Sequence, residues 1–95
     1  MDKIRRVVVT GLGAVTPIGN DVKTYWDGLV SGKCGIDTIK AFSADDLSVK
    51  VVGEVKDFDP LAYMPKLEAV RADRYTQFAV AAAEEAVTDS GIMGK

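Results

Sequence analysis

The run Val7-Val8-Val9-Thr10 is the feature that most limits the folds open to this chain of 95 residues. Consecutive β-branched residues favour a strand, and the sequence predicts one over residues 4–10. The apolar run is continuous rather than alternating, which is typical of a strand covered on both faces in a parallel α/β sheet. Such a strand needs helices on each side of the sheet and further strands at its edges.

A short amphipathic helix is predicted over residues 21–31. Asn20 or Asp21 can cap its first turn, and Gly32 suits the left-handed residue that ends a helix. Its apolar residues recur at helical spacing and form one stripe: Val22, Tyr25, Trp26, Leu29 and Val30.

The second half of the chain predicts one more strand and one long helix. Residues 33–48 have the composition of a loop, and residues 49–55 are a strand candidate. Residues 60–72 predict one or two short helical turns, with Pro60 at a helix start and Pro65 as a break. A long helix then begins at Asp73 and ends at Ser90-Gly91. Its expected packing stripe comprises Tyr75, Phe78, Ala79, Ala82, Ala83, Ala86 and Val87.

The order strand, helix, strand, helix predicts an α/β fold. Two strands and two main helices cannot cover a strand that is apolar on both faces, and a two-stranded sheet is marginal by itself. We therefore expect an incomplete sheet, either part of a larger sheet or one that associates tightly with another chain.

Composition and charge limit the kinds of partner that the chain can bind and the cellular compartment in which it is expected. The chain has 47% hydrophobic and 27% charged residues and a formal net charge of −2, values that exclude a disordered chain. The acidic excess disfavours nucleic acid or an anionic membrane as the main partner. A single Cys, no long apolar stretch and no signal-peptide core predict a cytoplasmic protein.

The absence of His restricts the chemistry available to the chain. No Ser-His-Asp or Cys-His relay and no His metal site can form within it. Cys34 follows a predicted helix and is interpreted as a loop thiol, because a reactive thiolate is favoured at a helix N-terminus. The adjacent acidic pairs Asp45-Asp46 and Glu84-Glu85 are interpreted as surface charge, since neighbours in a helix point to different sides.

Gly11 and Gly13 raise the hypothesis of a small nucleotide-binding α/β module, because glycines between a strand and a helix let the backbone approach a phosphate. The pattern fits poorly, since Thr16 stands where a third small residue is wanted and residues 17–20 delay the helix. A glycine turn that packs against a neighbouring element is the favoured interpretation.

Basic residues cluster around Pro65 on this acidic chain, namely Lys66, Arg71 and Arg74. Such a cluster can dock an anionic partner, and it is also the ordinary composition of a solvated face. A non-catalytic interaction domain built on residues 66–74 is therefore a third hypothesis.

An ordered set of motifs along the whole chain resembles the N-terminus of the elongating β-ketoacyl-acyl-carrier-protein synthases, most closely the KAS II type. The motifs are Arg6-Val7-Val8-Val9-Thr10-Gly11-Leu12-Gly13, Thr16-Pro17-Ile18-Gly19-Asn20, Trp26, Gly35-Ile36, Lys56-Asp57-Phe58, Asp73-Arg74-Tyr75, Gln77-Phe78-Ala79 and Asp89-Ser90-Gly91.

The resemblance implies a partial thiolase-like fold, in which residues 1–95 form the beginning of the N-terminal αβα half of a homodimeric synthase. It implies decarboxylative Claisen condensation of acyl-carrier protein with malonyl-carrier protein in type II fatty-acid synthesis, with related polyketide ketosynthases as an alternative. The family's catalytic Cys and two His lie further along than this segment, so the resemblance implies no catalytic residue, cofactor or metal here and no activity of the chain alone. Lys66 and Arg71 match basic positions that bind the acidic carrier protein, while Leu67 and Val70 stand where other members often have further basic residues.

Overall fold

A computed structural model describes residues 4–92. The chain forms helix α1 (Val22–Ser31), a hairpin of two short strands, β1 (Ile36–Thr38) and β2 (Val51–Gly53), and a 3₁₀ turn (Pro60–Ala62). Helix α2 (Lys66–Arg71) and the long helix α3 (Arg74–Ser90) follow. The predicted helices are confirmed, and the one or two short helical turns expected over residues 60–72 are the 3₁₀ turn and α2.

The two strands pair antiparallel, with Ile36 opposite Gly53 and Thr38 opposite Val51. Beyond the strands, the carboxylate of Glu54 accepts backbone N–H groups from Lys40 at 2.8 Å and Ala41 at 3.1 Å. The prediction of a continuous loop over residues 33–48 is therefore wrong at β1, and the strand predicted over residues 49–55 is shorter. A strand of three residues has too few positions to display an alternating pattern.

The strand predicted over residues 4–10 is not formed within the described chain. Its residues are exposed, Val7 to 91%, and the described two-stranded sheet consists of β1 and β2 alone. A strand exists only through hydrogen bonds to a neighbouring strand, and residues 4–92 place none beside this segment. The β-branched run therefore favours a strand, but no strand within residues 4–92 lies beside it to pair with.

Helix α1 is bounded by local capping interactions, as predicted. The Asp21 carboxylate accepts the Thr24 backbone N–H at 2.7 Å, and Gly32 ends the helix with φ of 79°. The hydrogen bond from the Thr24 backbone holds the pKa of Asp21 below its ordinary value of 3.8, because it stabilises the ionised carboxylate. Of the two candidates, Asp21 rather than Asn20 is thus the capping residue.

Helix α3 begins after Asp73, as predicted, although the Asp73 side chain makes no capping hydrogen bond. The expected packing stripe is only partly right. Gln77 and Ala81 are the buried residues, whereas Tyr75 is 73% exposed. Ala82 and Ala86 of the expected stripe do pack, against Gly13 and Gly11. Gln77, outside the stripe, is buried because it packs on the end of α2 and donates a hydrogen bond to the Ala69 carbonyl oxygen.

The described chain is open rather than compact. Its radius of gyration is 17.3 Å, compared with about 12 Å for a compact domain of this length. Its accessible surface is 7746 Å², compared with about 5,300 Å² for a folded monomer of this mass. The buried apolar residues are few and mostly small: Ala44, Met64, Ala69 and Ala81. The expected incompleteness of the fold is therefore visible as unburied apolar surface.

Within residues 4–92, no helix is both long enough and apolar enough to cross a bilayer.

Candidate functional site

The two basic residues predicted to bind a partner, Lys66 and Arg71, begin and end helix α2. Both are exposed, and neither forms an ion pair with the residues that the structure describes. At 100° per residue, Lys66, Leu67, Val70 and Arg71 lie within an arc of about 140° on one side of the helix. We call these four residues the α2 surface. The structure thus places both predicted residues on one exposed face.

The opposite side of α2 fixes the helix to the rest of the chain. Ala69 is buried, and its carbonyl oxygen accepts a hydrogen bond from Nε2 of the buried Gln77 at 2.9 Å. Glu68 lies outside the arc but flanks it, because it is about 60° from Arg71 in the helical projection. A short helix that is unstable alone is thereby held by α3 while its cationic face stays exposed.

Arg74, the third member of the predicted basic cluster, has a different role. Its guanidinium lies 5.5 Å from the ring centroid of Phe58 and 5.1 Å from that of Phe78. The two rings contact each other edge to face at a centroid distance of 5.0 Å. Cation–π attraction of this kind stabilises packing, so Arg74 belongs to an aromatic cluster rather than to the α2 surface.

Gly11 and Gly13 pack against the backbone of α3. A Cβ atom on Gly11 would lie 2.1 Å from the Ala86 carbonyl oxygen, and one on Gly13 would lie 1.8 Å from that of Ala82. These separations are far below van der Waals contact, so only glycine permits this approach. The favoured interpretation of the glycine turn as a packing element is confirmed.

The backbone N–H groups beside these glycines already bind carboxylates of α3. Leu12 N–H donates to Asp89 at 3.1 Å and Ala14 N–H donates to Glu85 at 2.9 Å. A nucleotide phosphate would need such donors free. Neither the glycines nor their neighbouring donors therefore support the nucleotide-binding hypothesis.

Glu85 corrects the interpretation of Glu84-Glu85 as surface charge. Its side chain is half-buried, and its second carboxylate oxygen accepts the N–H of Val22, the first residue of α1, at 2.9 Å. Unpaired N–H groups at a helix N-terminus favour a negative charge. The partners lie 63 and 71 positions away in sequence, so no local pattern could have revealed them.

Lys56 is a second residue with a structural role that no sequence pattern predicted. Its partly buried Nζ donates to the carbonyl oxygens of Pro17 at 3.2 Å, Gly35 at 3.1 Å and Glu54 at 3.2 Å. Its own carbonyl oxygen accepts a hydrogen bond from Nδ2 of Asn20 at 2.8 Å. Lys56 thus joins the turn before α1 to the two ends of the hairpin.

Cys34 lies in the loop after α1, where the sequence placed it. The thiol is exposed and donates a long hydrogen bond to the Ile36 carbonyl oxygen at 3.7 Å. Residues 4–92 contain no cluster of three His, Cys, Asp or Glu side chains that would suit a metal ion.

Comparison with known proteins identifies relatives along nearly the whole chain. Residues 4–95 match the family described as "Beta-ketoacyl synthase, N-terminal domain". The chain is 48% identical to 3-oxoacyl-[acyl-carrier-protein] synthase 2 of Synechocystis sp. over 89 residues, which is 94% of this chain and 21% of that protein. It is 48% identical to the Staphylococcus aureus (strain COL) protein of the same name over 90 residues, covering 95% of this chain and 22% of the relative.

A solved structure gives the same result for the fold. The structure titled "The ishigamide ketosynthase/chain length factor" matches with a TM-score of 0.83 and 38% identity, covering 93% of this chain and 22% of the other. The predicted fold class, a partial thiolase-like α/β fold with an incomplete sheet, is confirmed. The chain spans about a fifth of the length of the relatives that it matches.

Proposed function

The chain belongs to the β-ketoacyl synthase family, and from this membership we propose that residues 1–95 form the N-terminal part of the N-terminal domain of a β-ketoacyl-acyl-carrier-protein synthase. The complete synthase condenses acyl-carrier protein with malonyl-carrier protein, with loss of CO₂, in type II fatty-acid synthesis. The observation that carries the proposal is 48% identity to proteins named 3-oxoacyl-[acyl-carrier-protein] synthase 2 along 94% of the chain.

The reacting groups of the condensation lie outside these 95 residues. The reaction needs a thiolate to carry the acyl chain and neutral imidazoles that donate to the developing enolate oxygen. The sequence contains no His, and its one Cys follows helix α1 in an exposed loop. The segment therefore contributes framework and surface, while the nucleophile and both imidazoles come from the rest of the synthase.

The exposed apolar surface of this segment supports its assignment as one part of a larger synthase. Within residues 4–92 no strand pairs with the segment that contains Ile4, Val7 and Val9, and Trp26 and Val30 on α1 are mostly exposed. The remainder of the synthase supplies the missing strands and layers, and a homodimer covers further surface. A cytoplasmic location follows from the soluble carrier-protein substrates.

The α2 surface is the part of this segment that meets the carrier protein. Lys66 and Arg71 are exposed cations without a counter-ion among residues 4–92, and Gln77 fixes the helix that presents them. Opposite charges increase the rate of encounter and orient the two partners. An acidic carrier protein is the partner that this surface fits.

Two measurements test the proposal. The complete synthase that contains this segment is expected to turn over acyl- and malonyl-carrier protein, whereas the purified 95-residue chain is expected to show no turnover above the blank. Charge reversal by Lys66→Glu with Arg71→Glu in the complete synthase should weaken carrier binding about tenfold at low ionic strength.

The matched control is Lys23→Glu with Lys50→Glu, which changes the net charge equally at exposed lysines elsewhere. Carrier affinity unchanged by the α2 reversal, or reduced equally by the control pair, would count against the docking assignment. Lack of turnover by the complete synthase would contradict the proposed function itself.

A further inference from the structure

Gln77 is a buried polar residue near the start of α3, and only 8% of it is exposed. Its Nε2 group donates to the Ala69 carbonyl oxygen at 2.9 Å, whereas its buried Oε1 atom has no hydrogen-bond partner within residues 4–92. The orientation of the amide is fixed, because exchanging the two atoms would set Oε1 against the carbonyl oxygen of Ala69. The unpaired atom is therefore an acceptor, and its complement is an N–H or O–H group.

The unpaired Oε1 atom is costly to the fold, because a buried acceptor loses its hydrogen bonds to water and gains none in return. The large majority of buried side-chain polar atoms in folded proteins are hydrogen-bonded. The face of α3 that carries Gln77 offers no side-chain donor at the next two turns, because Ala81 is apolar and Glu85 is itself an acceptor. The donor for Oε1 is thus supplied from outside residues 4–92.

The Nε2 end of the same amide holds helix α2. Ala69 is among the last four residues of α2, whose carbonyl oxygens have no N–H partner within the helix. Pro65 at the N-cap supplies no side-chain hydrogen bond, and a helix of six residues is unstable alone. The hydrogen bond from Gln77 therefore sets where the end of α2 lies relative to α3.

We infer that Gln77 is a positioning residue whose Oε1 atom accepts a hydrogen bond from an N–H or O–H group in the remaining part of the synthase, so that its amide joins helix α2 to the rest of the enzyme. This inference rests on the function proposed above, because it places α2 in a complete synthase. It concerns the buried side of the helix. The joined amide keeps Lys66 and Arg71 at a constant position relative to the reacting groups.

The structure of the complete synthase tests the contact itself and needs no variant. We expect a backbone or side-chain donor from outside residues 4–92 within about 3.2 Å of Gln77 Oε1. A water molecule as the only partner of Oε1 would overturn the inference, and so would the absence of any donor within that distance.

Two substitutions separate the two ends of the amide. Gln77→Met keeps the length of the side chain and removes both donor and acceptor, while Gln77→Glu keeps an acceptor and removes the Nε2 donor at neutral pH. The measurement is hydrogen exchange of the complete synthase. Gln77→Met should speed exchange about tenfold or more both in residues 66–72 and in the segment that holds the donor. Gln77→Glu should speed exchange in residues 66–72 alone, because its carboxylate still accepts the donor.

Glu84→Met is the matched control, because it introduces the same side chain at an exposed position of α3. Exchange in both segments should stay within about twofold of the unmodified rate. Faster exchange in residues 66–72 alone for Gln77→Met would show that Oε1 has no partner in the rest of the synthase, and this result would overturn the inference.

Steady-state kinetics show whether Gln77 positions α2 for its partner. Gln77→Met in the complete synthase is expected to raise KM for acyl-carrier protein about fivefold and to leave kcat within about twofold, because the reacting groups lie elsewhere. With acyl-pantetheine, a small thioester that lacks the carrier protein, kcat/KM should be unchanged. Equal losses with the two substrates, or an unchanged KM for acyl-carrier protein, would overturn the positioning role.

The inference and the proposed function can fail separately. Absence of turnover by the unmodified synthase contradicts the proposed function, whereas the donor at Oε1 and the exchange rates are measured without any turnover. A synthase that turns over acyl- and malonyl-carrier protein, but whose Gln77 Oε1 atom has no donor from the chain, retains the proposed function and overturns the inference.

Discussion

The carboxylate of Glu85 accepts the backbone N–H of Val22 at 2.9 Å, which joins the C-terminal half of α3 to the first turn of α1. Its other oxygen accepts the N–H of Ala14 at 2.9 Å. One half-buried side chain thereby orients the segment that precedes α1 and the helix itself against the same face of α3. Asp89, one helical turn later, binds the N–H of Leu12 in the same way.

Glu85→Ala is expected to lower the free energy of unfolding by about 2 kcal/mol. The substitution removes two charge-assisted hydrogen bonds and leaves two N–H donors without their partner. The measurement is urea-induced unfolding of the complete synthase. Glu84→Ala serves as control, because Glu84 is exposed and should cost about 0.5 kcal/mol or less. Equal losses for the two variants would show that the Glu85 hydrogen bonds add nothing.

Gly13→Ala is expected to destabilise the fold by about 3 kcal/mol or more, because the added Cβ would lie 1.8 Å from the Ala82 carbonyl oxygen. Backbone atoms of α3 cannot move aside as a flexible side chain would. The readout is the unfolding midpoint together with the soluble yield of the complete synthase.

Gly32→Ala is the informative control for Gly13, since Gly32 has φ of 79° but open space around it. It should cost about 1 kcal/mol, the ordinary penalty of a left-handed non-glycine residue. A Gly13→Ala variant as stable as the Gly32→Ala variant would contradict the close packing against α3.

Local signals in the sequence were sufficient for the helices. Asp21 and Gly32 bound α1 through contacts within three or four residues, so the predicted limits agree with the structure. The exposed position of Lys66 and Arg71 on a short helix also followed from nearby residues. The features that were missed depend on distant partners: Glu85 binds residues 63 and 71 positions away, and Arg74 stacks on Phe58.

The sheet was predicted least well because the pairing of strands depends on residues that are distant in the sequence. Residues 4–10 have strong β-branched preference and no adjacent strand within the described chain. Residues 36–38 form a strand because Val51–Gly53 lies beside them in an antiparallel pair. Preference for a strand and presence of a partner are separate requirements, and only the first can be read from the residues.

Lys56→Met is expected to lower the unfolding free energy by about 2 kcal/mol. Methionine keeps the aliphatic stem but leaves the carbonyl oxygens of Pro17, Gly35 and Glu54 without their shared cation. Lys50→Met is the control, because Lys50 is exposed. Faster hydrogen exchange in residues 16–20 should accompany the loss only for Lys56→Met, and unaltered exchange there would argue against its bridging role.

Asp21→Ala is expected to cost about 1 kcal/mol at neutral pH, since it removes the N-cap of α1. Because folding lowers the pKa of Asp21 below 3.8, the ionised carboxylate stabilises the fold above that value. This stabilisation is lost as the pH falls through 3.8 toward the lower folded pKa. The difference in unfolding free energy between the parent protein and Asp21→Ala should therefore be constant from pH 7 to pH 5 and shrink below pH 4. A difference that grows on acidification would contradict the direction of the shift.

The isolated 95-residue chain is expected to lack a sharp unfolding transition and to self-associate. Its accessible surface of 7746 Å² exceeds that of a compact monomer of this mass by about 2,400 Å². Many large hydrophobic side chains are part of the exposed surface, and exposed apolar patches drive association. The measurements are calorimetry and sedimentation velocity at several concentrations, with the complete synthase as reference. Addition of the remaining part of the synthase as a separate chain should restore a cooperative transition, because it supplies the strands that residues 4–10 lack. A monomer with a sharp transition at every concentration would show that the open surface is already stable in water.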